Sequence, residues 1–122
     1  LTGRVLFTGQ VNNPHDYFRA ADLFVLSSRY EGFPNAICEA MSVGLPIVAT
    51  RASGGVESIV RDGVDGLLIP VENITALAEA LNFLMGDRLR REEMGKQAVA
   101  ITERFDFQAV VALWENMLTE LV

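Results

Sequence analysis

The sequence is poor in the residues that staple or metallate small proteins: 122 residues hold one cysteine, one histidine and one tryptophan. Cys38 alone forms no internal disulfide, and no Cys/His set has the spacing of a metal site, which argues against structural zinc and suits a reducing, cytoplasmic setting. A cationic excess is also missing. Ten Lys and Arg against sixteen Asp and Glu give a net charge of −6, so there is no footprint for neutralising phosphates along a nucleic acid, and nucleic acid is not expected as a partner. The longest apolar runs, residues 23–26 and 66–70, fall far short of the roughly 20 that cross a bilayer, and no cationic-then-apolar leader opens the chain. Neither membrane insertion nor export is expected. Absent too are a Gly-x-Gly-x-x-Gly after the first strand-like segment, a Walker-type Gly-Lys-Ser/Thr and a Gly-x-Ser-x-Gly, which removes the dinucleotide, P-loop and hydrolase readings. There is no initiator Met, and Leu1-Thr2-Gly3-Arg4 runs straight into a strand-like segment, so the chain is expected to be a piece of something longer.

What remains is a chain of 50% hydrophobic residues with short charge runs, enough to fold as one domain with its own core. Residues 4–9 read as a buried first strand, and Asn12-Asn13-Pro14 as a turn leading to a helix near residues 15–21. Residues 22–26, 45–49 and 67–70 read as three further strands with no polar alternation, the pattern of a parallel sheet covered on both faces. Between them lie a helix at 35–42, capped by Gly44, and a short helix at 56–60. Beyond Pro70 the period lengthens. Asn73 is the expected N-cap of an amphipathic helix carrying Ile74, Leu77, Ala78, Leu81, Leu84 and Met85. A charged helix over 87–102 follows, then a last one marked by Phe107, Val110, Val111, Trp114, Met117, Leu118 and Leu121, whose apolar stripe is expected to pack on this same domain. Strands alternating with helices predict an α/β, Rossmann-like three-layer domain with a parallel sheet.

Ligands of such sheets bind beyond the carboxyl ends of the strands, and two loops there draw notice. In Glu31-Gly32-Phe33-Pro34-Asn35-Ala36-Ile37-Cys38-Glu39, a loop carboxylate and a helix carboxylate flank a helix start. Ala36, Ile37, Ala40 and Met41 would form the buried face. The unpaired N–H groups of a first helical turn, approached closely at Gly32, offer donors, while Glu31 and Glu39 offer acceptors. That mixture suits a sugar joined to a phosphate. The same residues also fit a plain turn with a glutamate placed favourably for the helix dipole, so spacing alone leaves both readings open. Ser53-Gly54-Gly55 could hold a phosphate or simply turn the chain. His15 is expected at a helix cap or in solvent, Cys38 as an inert packed thiol, and Arg29 and Arg51, the basic residues near the loops, in surface ion pairs.

The stretches 21–41 and 44–50, the Gly54-Gly55 pair and residues 62–70 together resemble the donor-binding domain of glycosyltransferase family 4, the group 1 glycosyltransferases of GT-B fold. The likeness covers nearly the whole chain. It implies that residues 1–122 are part of the C-terminal half of a GT-B fold in a retaining transferase that moves a hexosyl group from a nucleotide-diphosphate sugar, in glycan or polysaccharide biosynthesis. It implies that Glu31 bonds donor-sugar hydroxyls as the catalytic-site carboxylate, and that backbone groups of Gly32, Phe33, Pro34, Asn35 and Ala36 cradle sugar and phosphates. Glu39 would accept from the ribose, and Gly9, Gln10 and Val11 would frame the base. It further implies that no metal and no cofactor is needed.

The resemblance also implies partners that are not in these residues. An N-terminal acceptor domain and the Arg and Lys that hold the diphosphate would lie upstream, and the parent could touch a membrane surface peripherally without spanning it. The isolated chain is therefore expected to bind a nucleotide sugar weakly and to catalyse nothing alone. Two other readings stand beside this one: a GT-B nucleotide-sugar epimerase or phosphorylase, and a non-catalytic α/β binding module.

Overall fold

A computed structural model describes residues 3–121, with the side chain of Phe107 outside that description. Three short strands form the sheet: β1 (Phe24–Leu26), β2 (Ile47–Thr50) and β3 (Gly66–Ile69). All pairs are parallel in the order β1-β2-β3, with Val25 opposite Val48 and Val48 opposite Leu67. Parallel neighbours need crossovers, and helices supply them. After α1 (Pro14–Ala20) leads into β1, the crossovers are α2 (Asn35–Ser42) and α3 (Gly54–Ile59). Beyond β3 come α4 (Ile74–Met85), α5 (Arg88–Ala98), α6 (Ile101–Arg104) and α7 (Phe107–Glu120).

The central strand β2 is buried at every position, so each of its faces needs a cover. One face carries Ile37, Ala40 and Met41 of α2, Val56 and Ile59 of α3, and Ile101 of α6. The other carries Ala80 and Leu84 of α4 and Met94 of α5 around Val48 and Ile69. The three-layer parallel α/β arrangement is thus as the apolar runs require. The α2 helix ends as expected at a left-handed Gly44 (φ +84°), whose N–H reaches Met41 O at 3.0 Å. Asn73 caps α4 through a 2.9 Å bond from Ala76 N–H to its side-chain oxygen.

Four expectations need correction. The expected strand at residues 4–9 does not form: β1 pairs only with β2 among the described residues, and Val5, Leu6 and Phe7 stand exposed, Phe7 at 92%. A β-branched run becomes a strand only when a neighbour takes its N–H and C=O groups. The final helix forms, but Val110, Trp114, Met117, Leu118 and Leu121 of its stripe are exposed rather than packed on this domain, Trp114 at 58%. The charged helix over 87–102 is two helices, α5 and α6, divided at Val99 and Ala100, where Ala100, Thr102 and Glu103 bond three residues back. Ala36 is exposed rather than on the buried face of α2.

Candidate functional site

The loops leaving β1 (residues 27–34), β2 (51–53) and β3 (70–73) meet at the carboxyl edge of the sheet. Thr50, buried at the end of β2, donates its hydroxyl to Ser28 O at 2.5 Å and fixes the start of the first loop. Ser28 in turn donates to the Glu31 carboxylate at 2.7 Å. Glu31 is thereby oriented while half-buried, with one carboxylate oxygen engaged.

The second loop locks onto the first. Ser53, the N-cap of α3, accepts from Val56 N–H at 3.3 Å and donates to Gly32 O at 3.1 Å. Gly55 follows so closely that a Cβ there would stand 2.7 Å from the same Gly32 oxygen. The glycine is thus required by close approach of two backbones. Ser53 and Gly55 lie beside Gly32 in one rim.

Which amides are free follows from the turn geometry. The Asn35 N–H is spent on Phe33 O and the Ile37 N–H on Pro34 O, each at 3.1 Å. Pro34 has no N–H and caps α2 without a side-chain bond. The N–H groups of Gly32, Phe33 and Ala36 have no intramolecular acceptor among the described residues. Ala36 owes its open amide to its place in the first turn of α2. Donors therefore come from Gly32, Phe33 and Ala36, with Asn35 turned inward.

Glu39, one turn into α2, points toward α1: its Oε2 lies 3.8 Å from His15 Nε2, both side chains partly exposed. His15 thus lies within the first turn of α1, where Asn13 and not His15 is the N-cap residue, half-exposed and beside the Glu39 carboxylate. Gly9 (φ +64°) and Gln10 are exposed and Val11 half-buried in the irregular segment ahead of α1, and no hydrogen bond ties them to residues 31–39 among the described residues. Cys38 is half-buried, and burial pushes its thiol pKa up, with the Arg104 charge pulling the other way. That fits an unreactive side chain. The two cations near the loops are paired: Arg29 with Glu72 at 3.0 Å, Arg51 with Glu57 at 2.7 Å and Asp62 at 3.4 Å.

Sequence reasoning missed a buried polar set at the amino end of β3. Asp65, fully buried, accepts from Arg61 N–H at 2.8 Å and Arg61 Nε at 2.7 Å, and faces Arg104 at 3.7 Å. Arg104 also donates to Ser58 O and Ile59 O, the carbonyl end of α3. The next residue, Phe105, meets the Phe33 ring edge-on at 5.7 Å. Asp65 lies in a turn-like Asp-Gly-Val-Asp-Gly stretch, and only its burial gives it away.

A parallel, doubly covered α/β domain that presents open amides and two carboxylates at the carboxyl edge of its sheet belongs to the class that takes up small polar ligands there. The comparisons make the assignment narrower. Residues 1–100 match the family described as "Glycosyl transferases group 1", and the chain belongs to that family. It is 34% identical to the lipopolysaccharide core biosynthesis mannosyltransferase LpsB of Rhizobium meliloti, over 97% of this chain and 35% of LpsB. It is 30% identical to the poly(glycerol-phosphate) alpha-glucosyltransferase of Bacillus subtilis, over 100% of this chain and 18% of that protein. Among solved structures, Anabaena HepE in complex with UDP and glucose superposes with a TM-score of 0.85 at 29% identity, covering 97% of this chain and 32% of HepE. Sucrose-phosphate synthase from Thermosynechococcus elongatus gives 0.84 at 29% identity, covering 97% and 30%. The fold is thus similar to that of GT-B glycosyltransferase structures. The chain spans about a third or less of the length of these relatives.

Proposed function

We propose that the chain is the donor nucleotide-sugar-binding part of a retaining, family 4 glycosyltransferase, within the C-terminal half of its GT-B fold. The transferred group on this reading is a hexosyl unit and the product belongs to glycan or polysaccharide biosynthesis. The observation that carries the proposal is the row of open amides at Gly32, Phe33 and Ala36, held between Glu31 and Glu39 by the Ser53 and Gly55 contacts. The similarity to a mannosyltransferase and an alpha-glucosyltransferase, and to HepE in complex with UDP-glucose, supports it.

In this reading the amides of Gly32, Phe33 and Ala36 donate to phosphate and sugar oxygens, adding neutral donors where charge grows on the departing diphosphate. Glu31, oriented by Ser28, accepts from donor-sugar hydroxyls and fixes the reacting carbon. Glu39 accepts from the ribose, and Gly9, Gln10 and Val11 border the base. The proposal assigns no metal and no cofactor. An acceptor domain and further phosphate cations come from elsewhere in a longer chain.

The test is a binding and turnover screen of UDP-, GDP- and ADP-sugars with that longer chain, beside Glu31→Gln and Glu39→Gln. Glu31→Gln should lower kcat about 100-fold or more, as loss of a group used in the transition state does, while Glu39→Gln should mainly raise KM. The 122-residue chain alone should show millimolar binding and no turnover. Unchanged transfer by both variants, with folding intact, would sink the assignment.

A further inference from the structure

Phe33 is an exposed aromatic residue, at 53%, inside the loop whose amides form the proposed site. Among the described residues its ring meets one other aromatic ring, that of Phe105, at 5.7 Å between centroids and 65° between planes. Edge-to-face packing holds a ring by direction as well as by area, because the positive ring edge faces the negative face of its neighbour.

Phe105 is itself held on two counts. Its N–H closes the end of α6 on Ile101 O at 3.1 Å. The guanidinium of the preceding Arg104 lies 5.6 Å from its ring centroid. That guanidinium is anchored in turn: it donates to Ile59 O at 2.9 Å and Ser58 O at 2.8 Å and sits 3.7 Å from buried Asp65.

These contacts close a ring around the loop. The amino end of α3 holds Gly32 through Ser53, and the carbonyl end of α3 holds Arg104, which carries Phe105, which touches Phe33. A single short helix therefore supports two neighbouring residues of the loop by independent routes. Gly32 is fixed through its carbonyl and Phe33 through its side chain, and both carry open amides. Phe105 also lines, with Cys38, Glu39 and Thr102, a shallow cavity of about 240 Å³ beside the Glu39 carboxylate.

From this circuit we infer that Phe105 is a positioning residue for the donor loop. By packing edge-on against Phe33 it sets the directions of the Gly32 and Phe33 N–H groups toward an anionic diphosphate. The inference rests on the donor-site reading above.

The test uses the 122-residue chain with UDP as the probe, titrated to millimolar concentration and followed by ¹H–¹⁵N NMR at the loop amides. Phe105→Ala should shift the Gly32, Phe33 and Ala36 amides without ligand and weaken UDP about three- to tenfold, the size of one edge-to-face contact. Phe105→Tyr, which keeps the ring edge, should restore affinity to within about twofold. Phe105→Leu, which keeps apolar bulk but no ring, should not, and this separates positioning from simple core filling. Phe33→Ala with Phe105→Ala should be no weaker than Phe33→Ala alone, since both remove one contact. Leu rescue, or folded Phe105→Ala that binds UDP like the wild type while Glu39→Gln does not, overturns the inference and leaves the site reading standing. If UDP neither binds the wild type nor moves these amides, the site reading fails and the inference falls with it.

Discussion

Replacing Asp65 tests the buried network most directly. Its side chain is 0% exposed and accepts two bonds from Arg61, at 2.8 and 2.7 Å, with Arg104 at 3.7 Å. Removing one partner of a buried ion pair costs about 3–5 kcal/mol, because the charges left behind lose their compensation. Here Arg61 and Arg104 are partly exposed and regain water, so Asp65→Ala should fall at the lower end, about 3 kcal/mol. Asp65→Asn keeps an oxygen for the Arg61 N–H but not the charge, and should cost less, about 1–2 kcal/mol. With a urea slope of about 2 kcal/mol per molar, the Ala variant should lose about 1.5 M in midpoint at unchanged slope. Glu92→Ala, which breaks an exposed helix pair with Arg88, serves as the reference at about 0.5 kcal/mol or less. An Asp65→Ala midpoint indistinguishable from that of Glu92→Ala would refute the assignment of Asp65 as the hub joining α3, α6 and the turn before β3.

Two more outcomes are expected. Gly54→Ala and Gly55→Ala should part company: a Cβ at Gly54 meets nothing within 4 Å, so alanine there should be neutral or stabilising by up to about 1 kcal/mol. At Gly55 the new methyl would press on the Gly32 carbonyl, and the variant should lose about 1–2 kcal/mol in urea unfolding; equal stability of the two would show that the loops do not touch. Burial raises the Cys38 pKa, so less thiolate is present at neutral pH and the folded protein should react with iodoacetamide more slowly than the urea-unfolded chain; faster reaction when folded would contradict the direction of that shift.

Elements whose signals are local were read closely from the sequence. The α2 helix lies between Pro34 and the left-handed Gly44, and α4 starts at Asn73, because a cap is decided by a few adjacent atoms. The strands at 47–50 and 66–69 lie within two residues of the expected 45–49 and 67–70, because a continuous apolar run marks a strand covered on both faces. Two of the misreadings share a different cause. Whether Val5, Leu6 and Phe7 form a strand, or the Trp114 stripe finds cover, depends on a partner surface that a local pattern does not contain. At the site, the helix start promised open amides, yet Asn35 turns its N–H to Phe33. The Phe33–Phe105 and Gly32–Ser53 contacts join residues far apart in sequence, so no spacing rule reaches them.

Charge decides how much of the proposed binding these residues can supply. Hydrogen bonds to a charged group contribute about 1.5–3 kcal/mol each, so three amides give about 5–9 kcal/mol to a diphosphate. Association itself costs about 4–15 kcal/mol. The loop thus exceeds the entropy it must overcome by about 5 kcal/mol at most, which is the range of millimolar binding. The nearby cations do not tip the balance, because Arg29 and Arg51 face Glu72, Glu57 and Asp62, and the chain carries six net negative charges. Glu31 and Glu39 add acceptors for hydroxyls but repel phosphate. In the proposed function these loops therefore define where sugar, phosphate and ribose sit, and most of the affinity for a nucleotide sugar has to come from cationic groups outside residues 1–122.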